Sequence, residues 1–120
     1  MAKVLLIEDD ALIQRTVASR LKKDGFDVVC CNDGKEGLEK LALELPDLVL
    51  TDVMLPYVSG LEIVNAVKSL NEKPINVIVF STMGQENIVK EAFDLGADDY
   101  ITKPFSLNEL SIRIKKQLKR

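Results

Sequence analysis

The chain has 120 residues, a formal net charge of −3 and two cysteines. This length suits one domain with a single core, and the acidic balance argues against direct nucleic-acid binding by that domain. The sequence contains no histidine, so no histidine of this chain can carry a phosphoryl group, act as a base or bind a metal.

The sequence also lacks a targeting or membrane signal. It contains no apolar run of about eighteen residues, and Met1-Ala2-Lys3 leads directly into an apolar strand without a signal-peptide core. We therefore expect a cytoplasmic protein with no membrane partner. Cys30 and Cys31 are adjacent and lack the spacing of a metal or redox site, so we expect reduced thiols, one of them buried.

Five short apolar runs alternate with five amphipathic stretches. Strands are predicted over residues 3–7, 26–31, 48–52, 75–80 and 97–102, and helices over residues 11–23, 35–45, 60–70, 85–95 and 107–118. The first helix has an apolar stripe at Leu12, Ile13, Val17 and Leu21. Strict alternation of strand and helix predicts an α/β fold, a doubly wound parallel sheet with helices on both faces.

Polar side chains follow four of these strands. Because the carboxyl ends of parallel strands meet at one edge of a sheet, where such folds bind ligands, we expect these side chains to converge. They are Glu8, Asp9 and Asp10 after the first strand, Asp52 at the end of the third, Ser81 and Thr82 after the fourth, and Lys103 after the fifth.

This set of residues suits phosphoryl transfer. Converging carboxylates repel one another unless a cation neutralises them, and Mg²⁺ is the hard cation that best fits an all-oxygen site shared with phosphate. Lys103 adds a fixed positive charge and Ser81 a hydroxyl group beside a nucleophilic Asp52. Each residue alone has an ordinary structural interpretation, since an aspartate often caps a helix or turn and a serine often caps a helix.

The ordered set closely resembles the receiver domain of bacterial two-component response regulators, and the match covers residues 1–120. The resemblance implies a flavodoxin-like fold with five parallel strands in the order 2-1-3-4-5. It is carried by Ile7-Glu8-Asp9-Asp10, by Thr51-Asp52-Val53-Met54-Leu55-Pro56 with Gly60, by Phe80-Ser81-Thr82, and by Gly96-Ala97-Asp98-Asp99-Tyr100-Ile101-Thr102-Lys103-Pro104-Phe105.

The resemblance assigns a role to each acidic residue. Asp52 would accept a phosphoryl group from a phosphohistidine on a partner histidine kinase or phosphotransfer protein. Asp9 and Asp52 would bind Mg²⁺ directly, with Mn²⁺ as a substitute, the backbone carbonyl of Met54 would add a ligand, and Glu8 would act through water. Asp10 would be peripheral.

It also assigns the switch. Ser81 and Lys103 would hold the phosphoryl oxygens, and Tyr100 would rotate inward as Ser81 is drawn toward the phosphate. Pro104 would follow a cis peptide bond. The domain would promote only its own phosphorylation and slow dephosphorylation, so we do not expect an enzyme.

The switched surface would consist of the fourth helix, fifth strand and fifth helix, and it would control an output domain or protein. Asp98, Asp99, Glu109 and Arg113 resemble part of the charge pattern of regulators that dimerise on phosphorylation, whereas Val89 stands at a position that is usually basic. The sequence ends with the fifth helix, which fits either a stand-alone regulator or a domain cut from a longer chain.

Two further expectations concern kinetics and recognition. In the family that the sequence resembles, Met54 and Met83 stand at two positions that commonly tune dephosphorylation, and Thr82 replaces the small alanine common after the switch hydroxyl. We expect these bulkier groups to restrict the attacking water and lengthen the phosphorylated lifetime. A partner kinase would be recognised mainly on the first helix, around Ile13, Gln14, Thr16, Val17 and Arg20.

Other functions on this fold fit the residues less well. A flavin-binding electron carrier would need a glycine- and hydroxyl-rich loop where this chain has Glu8-Asp9-Asp10, and a phosphatase with an aspartate nucleophile would need a second acid at Met54. A receiver-like module that binds partners without phosphorylation remains an alternative, although no site residue is missing.

Overall fold

The computed structural model describes residues 1–119 and contains all ten predicted elements, with ends within two residues of those expected. No helix among the described residues is long and apolar enough to cross a bilayer. The strands are β1 (Lys3–Ile7), β2 (Asp27–Cys31), β3 (Leu48–Asp52), β4 (Asn76–Ser81) and β5 (Asp99–Thr102). The helices are α1 (Ala11–Lys23), α2 (Gly34–Glu44), α3 (Gly60–Ser69), α4 (Glu86–Asp94) and α5 (Leu107–Gln117).

The five strands form one parallel sheet in the order β2-β1-β3-β4-β5, which confirms the predicted topology. β3 lies at the centre between β1 and β4, and all five of its residues are buried. The register pairs Thr51 with Ile7 and Asp52 with Phe80. The polar residues that follow β1, β3 and β4 therefore emerge side by side at the carboxyl edge of the sheet.

Helices cover both faces of the sheet and create two cores. Alternate residues of β3 serve each face, because successive side chains of a strand point in opposite directions. Leu48 and Leu50 pack with α1 and α5, whereas Val49 packs with α3 and Ala92 of α4. Burial on both faces explains why the strands appear in the sequence as continuous apolar runs.

The buried stripe of α1 differs from the prediction at one position. Val17 and Leu21 are fully buried and Ile13 packs against the same core, but Leu12 is 70% exposed. Because Val17 is buried, its side chain is not exposed for the direct contact with a kinase that was expected from the sequence. Cys31 is buried, as expected for one of the two cysteines.

Asp24, the residue that ends α1, connects this helix to α5. Its carboxylate accepts hydrogen bonds from Ser111 Oγ at 2.7 Å and from Arg20 Nε at 3.2 Å, and Lys115 Nζ lies at 4.0 Å. Burial opposes ionisation of Asp24, but these bonds outweigh burial and lower its pKa. A charged network therefore joins α1 and α5 away from the carboxyl edge.

Candidate functional site

β3 delivers Asp52 to the carboxyl edge, where the residue is almost fully buried at 5% exposure. The loop after β3 turns back tightly, since Gly60 N–H donates to the Val53 carbonyl at 3.0 Å. A Cβ atom at Gly60 would collide with the backbone carbonyl oxygen of Asp52. The glycine therefore permits the close approach of α3 to Asp52.

Glu8, the first residue after β1, is held from several directions. Its N–H donates to the Cys31 carbonyl at 3.0 Å, and its Oε2 accepts from the Asp10 N–H at 3.0 Å. The side-chain amide of Gln14 lies 3.0 Å from both the Glu8 and the Cys31 carbonyl oxygens. Gln14 therefore points toward the acidic residues, a contact that its predicted role in kinase binding does not anticipate.

Three carboxyl groups meet beside this point. One oxygen from each of Glu8, Asp9 and Asp52 lies within 4.8 Å of the others, and Asp9 is the exposed member. Such an all-oxygen set fits a hard divalent cation such as Mg²⁺. Asp10 is not part of this cluster. Its Oδ1 accepts hydrogen bonds from the N–H groups of Leu12 and Ile13 and so caps the start of α1.

Lys103 links two of these carboxylates. Its Nζ lies 2.6 Å from Asp52 Oδ1 and 2.8 Å from Glu8 Oε1, and its side chain is 18% exposed. The same Nζ lies 5.3 Å from the ring centre of Phe80, which stacks on Phe105. The Lys103–Pro104 peptide bond is cis, as the resemblance implied.

The electrostatics of the site separate its two buried acids. Burial, and then the hydrogen bond with Glu8, raises the pKa of Asp52 to about 8 despite the opposing effect of Lys103. Burial tends to raise the pKa of Glu8 as well. Hydrogen bonds with Asp52, Lys103 and the Asp10 N–H outweigh burial, so the Glu8 pKa is lowered. Burial likewise opposes the charge of Lys103, yet the two carboxylates raise its pKa. Without a metal, Asp52 is therefore the acid that retains a proton near neutral pH.

A small cavity of about 130 Å³ opens beside Asp52. Ser81, which is 4% exposed, contributes to its wall, together with the half-exposed Met54. Met83 lies outside this wall, whereas the sequence had grouped it with Met54 and Thr82. The lining residues are Asp9, Asp52, Met54, Phe80, Ser81, Thr82, Gln85 and Lys103.

Gln85 is a member of this wall that sequence reasoning missed. Its Oε1 accepts a hydrogen bond from the Thr82 N–H at 2.7 Å. Glutamine at the start of a helix has no strong positional preference, and the bond depends on the conformation of the loop between β4 and α4. No periodicity or motif in the sequence pointed to it.

Tyr100 lies on the other side of Ser81. It is 41% exposed and packs edge-on against Phe93 at 5.9 Å between ring centres. Tyr100 and Ser81 both line a groove of about 450 Å³ beside α4, so Ser81 borders the groove as well as the Asp52 cavity.

Asp98 and Asp99, near the start of β5, form hydrogen bonds and ion pairs within the chain. Asp98 Oδ2 accepts from Lys68 Nζ and from the Val77 N–H, both at 2.8 Å. Asp99 pairs with Arg113 at 2.8 Å. Val89, the residue at the usually basic position, is buried.

Solved structures provide close matches to this fold. The receiver domain of Francisella response regulator 1452 is 32% identical, with a TM-score of 0.89 over 100% of this chain and 98% of that chain. The chemotaxis response regulator CheY4 of Vibrio cholerae is 29% identical, with a TM-score of 0.90 over 98% of each chain. NtrX from Brucella abortus is 26% identical, with a TM-score of 0.90 over 98% of this chain but 27% of that chain.

Comparison of the sequence with family models gives the same result as comparison of the structures. Residues 4–115 match the family model described as the response regulator receiver domain, a span that includes every candidate site residue from Glu8 to Lys103. The chain therefore belongs to the response regulator receiver domain family.

Proposed function

We propose that this protein is a phosphorylation-activated signalling switch in which Asp52 accepts a phosphoryl group from a phosphohistidine on a partner kinase or phosphotransfer protein. The main support is the contact of 2.6 Å between the buried Asp52 carboxylate and Lys103, beside two further carboxyl groups. This arrangement combines an oxygen nucleophile with fixed positive charge, which is what phosphoryl transfer requires. Residues 1–120 would form one receiver domain.

The residues that would hold Mg²⁺ are Asp9 and Asp52 directly, the Met54 carbonyl as a further ligand, and Glu8 through water. Mn²⁺, which accepts the same oxygen ligands, would substitute. The ion would supply charge neutralisation for the carboxylates and the phosphoryl oxygens. The common position of Glu8, Asp9 and Asp52 supports this assignment.

In the transfer step an Asp52 oxygen attacks phosphorus while the phosphorus–nitrogen bond to the donor imidazole breaks. The electron pair of that bond leaves with the imidazole. Because burial raises the pKa of Asp52, the carboxyl group must first lose its proton, and the positive charge of Lys103 favours that loss. Lys103 and Ser81 would then hold the phosphoryl oxygens, as both line the cavity beside Asp52. Hydrolysis of the product would be slow and would end the signal.

The signal would leave through α4, β5 and α5. Ser81 borders both the Asp52 cavity and the groove beside Tyr100, so movement of Ser81 toward a phosphoryl group would open room for the Tyr100 ring. A change of about −1.5 to −2 in charge suffices to shift such a two-state surface. The output would be a domain or a separate protein, and a dimer formed on phosphorylation would use the same surface.

The test is intact mass after incubation with a small-molecule phosphodonor, with and without Mg²⁺. We expect a single Mg²⁺-dependent phosphoryl adduct on the native chain and none on Asp52→Asn. Asp10→Asn is the matched control, because asparagine retains the ability to cap α1 and Asp10 lies outside the acidic cluster.

An adduct that persists in Asp52→Asn, or its absence from the native chain, would contradict the proposal. The leading account would then be a receiver-like module that binds partners without phosphorylation.

A further inference from the structure

The beginning of α4 differs from that of every other helix among the described residues. In the other four, the side chain before the helix accepts a hydrogen bond from an N–H of the first turn. Gln85 occupies this position in α4, but its side chain makes no such bond. The four capping residues are Asp10, Asp33, Ser59 and Ser106.

The Gln85 side chain instead points toward the preceding loop, away from the first turn of α4. Its Oε1 accepts the N–H of Thr82 at 2.7 Å, and the Gln85 N–H approaches the Thr82 carbonyl at 3.3 Å. The Gln85 carbonyl accepts from Val89 N–H within α4. Gln85 therefore connects the end of β4 to the first turn of α4.

This connection lies at the reacting group. Thr82 and Gln85 both line the cavity beside Asp52, directly after Ser81 in the chain. A phosphoryl group on Asp52 would bring strong acceptor oxygens into a space of about 130 Å³. Backbone N–H groups are common ligands of phosphate, so after phosphorylation the Thr82 N–H would have a second acceptor that competes with Gln85 Oε1.

We propose that Gln85 is a latch of the unphosphorylated state, whose Oε1 occupies the Thr82 N–H that a phosphoryl oxygen on Asp52 takes over. The inference rests on the proposed function and adds a positioning residue to it. Phosphorylation exchanges one acceptor for the other and releases the Gln85 side chain. Since no side chain among the described residues caps α4, the exchange leaves only the backbone bond from the Gln85 N–H to the Thr82 carbonyl between the end of β4 and the start of α4. This weaker connection lets α4 shift and carries the change to the output surface.

The test compares the affinity of Gln85→Met and native chains for beryllofluoride, which binds a carboxylate oxygen and imitates a phosphoryl group. Titration with beryllofluoride and Mg²⁺, followed by ¹⁹F NMR, gives the dissociation constants. Methionine retains the length of glutamine but removes the acceptor. Since a hydrogen bond lost only from the unliganded state favours the liganded one, we expect roughly twofold to tenfold tighter binding in Gln85→Met.

Asn87→Met is the matched control, because it exchanges an exposed amide for the same side chain two residues later on α4. We expect its beryllofluoride affinity to equal that of the native chain, and Mg²⁺ affinity to be equal in all three proteins. Unchanged or weaker beryllofluoride binding by Gln85→Met would overturn the latch, since weaker binding would mean that Gln85 supports the liganded state.

Hydrogen exchange of the Thr82 amide provides a second measurement that does not depend on affinity. Without beryllofluoride, exchange should be faster in Gln85→Met than in the native chain, and with it the two rates should converge. Equal rates in the unliganded proteins would refute the latch while leaving the proposed function intact. Failure of the native chain to bind beryllofluoride, or equal binding by Asp52→Asn, would instead refute the proposed function and the latch with it.

Discussion

β3 has an aspartate near each end, and the two carboxyl groups respond to their surroundings in opposite ways. Asp47, just before the strand, accepts from the Lys3 N–H at 2.7 Å and from Lys73 Nζ at 2.9 Å. The bond from the Lys3 N–H, aided by Lys73, outweighs burial and lowers the Asp47 pKa. Asp52 lies 2.6 Å from Lys103, yet its pKa is raised to about 8.

Both aspartates have a lysine partner, so the ion pair alone does not determine the pKa. The Asp47 side chain is 38% exposed, whereas Asp52 is buried and shares Lys103 with Glu8. Burial and a second carboxylate together reverse the direction of the shift. The amino edge of the sheet thus holds a partly exposed ion pair, whereas the carboxyl edge holds the buried acidic groups of the candidate site.

Replacing the two lysines should separate these roles most strongly. Lys103→Met removes the fixed charge beside the acceptor, so we expect phosphorylation by a small-molecule donor to slow by about a hundredfold. Lys73→Met at the amino edge should leave that rate unchanged and lower the free energy of unfolding by about 1 kcal/mol or less, because its ion pair is partly exposed. Time courses of intact mass and urea titrations measure both effects, and equal phosphorylation rates would contradict the distinction.

Two glycines extend the comparison to the backbone. In Gly60→Ala the new Cβ meets the carbonyl oxygen of Asp52, so we expect a loss of about 1–3 kcal/mol in unfolding free energy and slower phosphorylation. Gly25, in the turn at the amino edge, has φ +96° and open space around it. Gly25→Ala should lose about 1–2 kcal/mol through backbone strain without any change in phosphorylation rate. A similar slowing in both variants would indicate that general loss of stability, and not the geometry at Asp52, controls the rate.

The opposite pKa shifts predict opposite pH effects on stability in a buffer with a metal chelator. The raised pKa of Asp52 stabilises the fold fully below the ordinary value of 3.8, and this contribution is lost as pH rises toward about 8. The lowered pKa of Asp47 stabilises the fold above 3.8 and loses its effect as pH falls through the folded value. Relative to the native chain, Asp52→Asn should therefore gain stability from pH 4 to 8, whereas Asp47→Asn should be less stable at pH 7 and approach the native chain below pH 4. Urea titrations across this range would refute the assignment if the two differences changed in the same direction.

The smallest expected effect concerns the bulky residues near the acceptor. Thr82 lines the Asp52 cavity and Met83 does not, so Thr82→Ala should accelerate hydrolysis of the phosphorylated protein by a few-fold and Met83→Ala by less. Leu43→Ala, which alters an exposed apolar residue on α2, is the control. Decay of the phosphoryl adduct by intact mass measures the rates. Unchanged decay in both variants would remove the proposed restriction on the attacking water.

The fold was predictable because the central strands are covered on both faces and therefore form continuous apolar runs. The candidate site could be predicted from the sequence because the parallel strands bring Glu8, Asp52 and Lys103 to one edge of the sheet. The orientation of α1 was harder, since helical periodicity does not decide which of the adjacent Leu12 and Ile13 faces the core.

The partners of individual polar side chains could not be predicted from the sequence. Gln14 and Gln85 both bond to backbone groups whose positions depend on loop conformation. Asp98 resembles part of a dimer charge pattern in the sequence, but in the folded chain it joins Lys68 and the Val77 N–H. A residue type and its spacing do not specify such partners.

The network around Asp24 has a consequence for the direction of the signal. Ser111 is buried and hydrogen-bonded to Asp24, so the middle of α5 is fastened to the end of α1. In the proposed switch, α5 would therefore move less than α4. A partner that contacts both helices would then detect a change in the distance between them, with the middle of α5 held in place by Asp24.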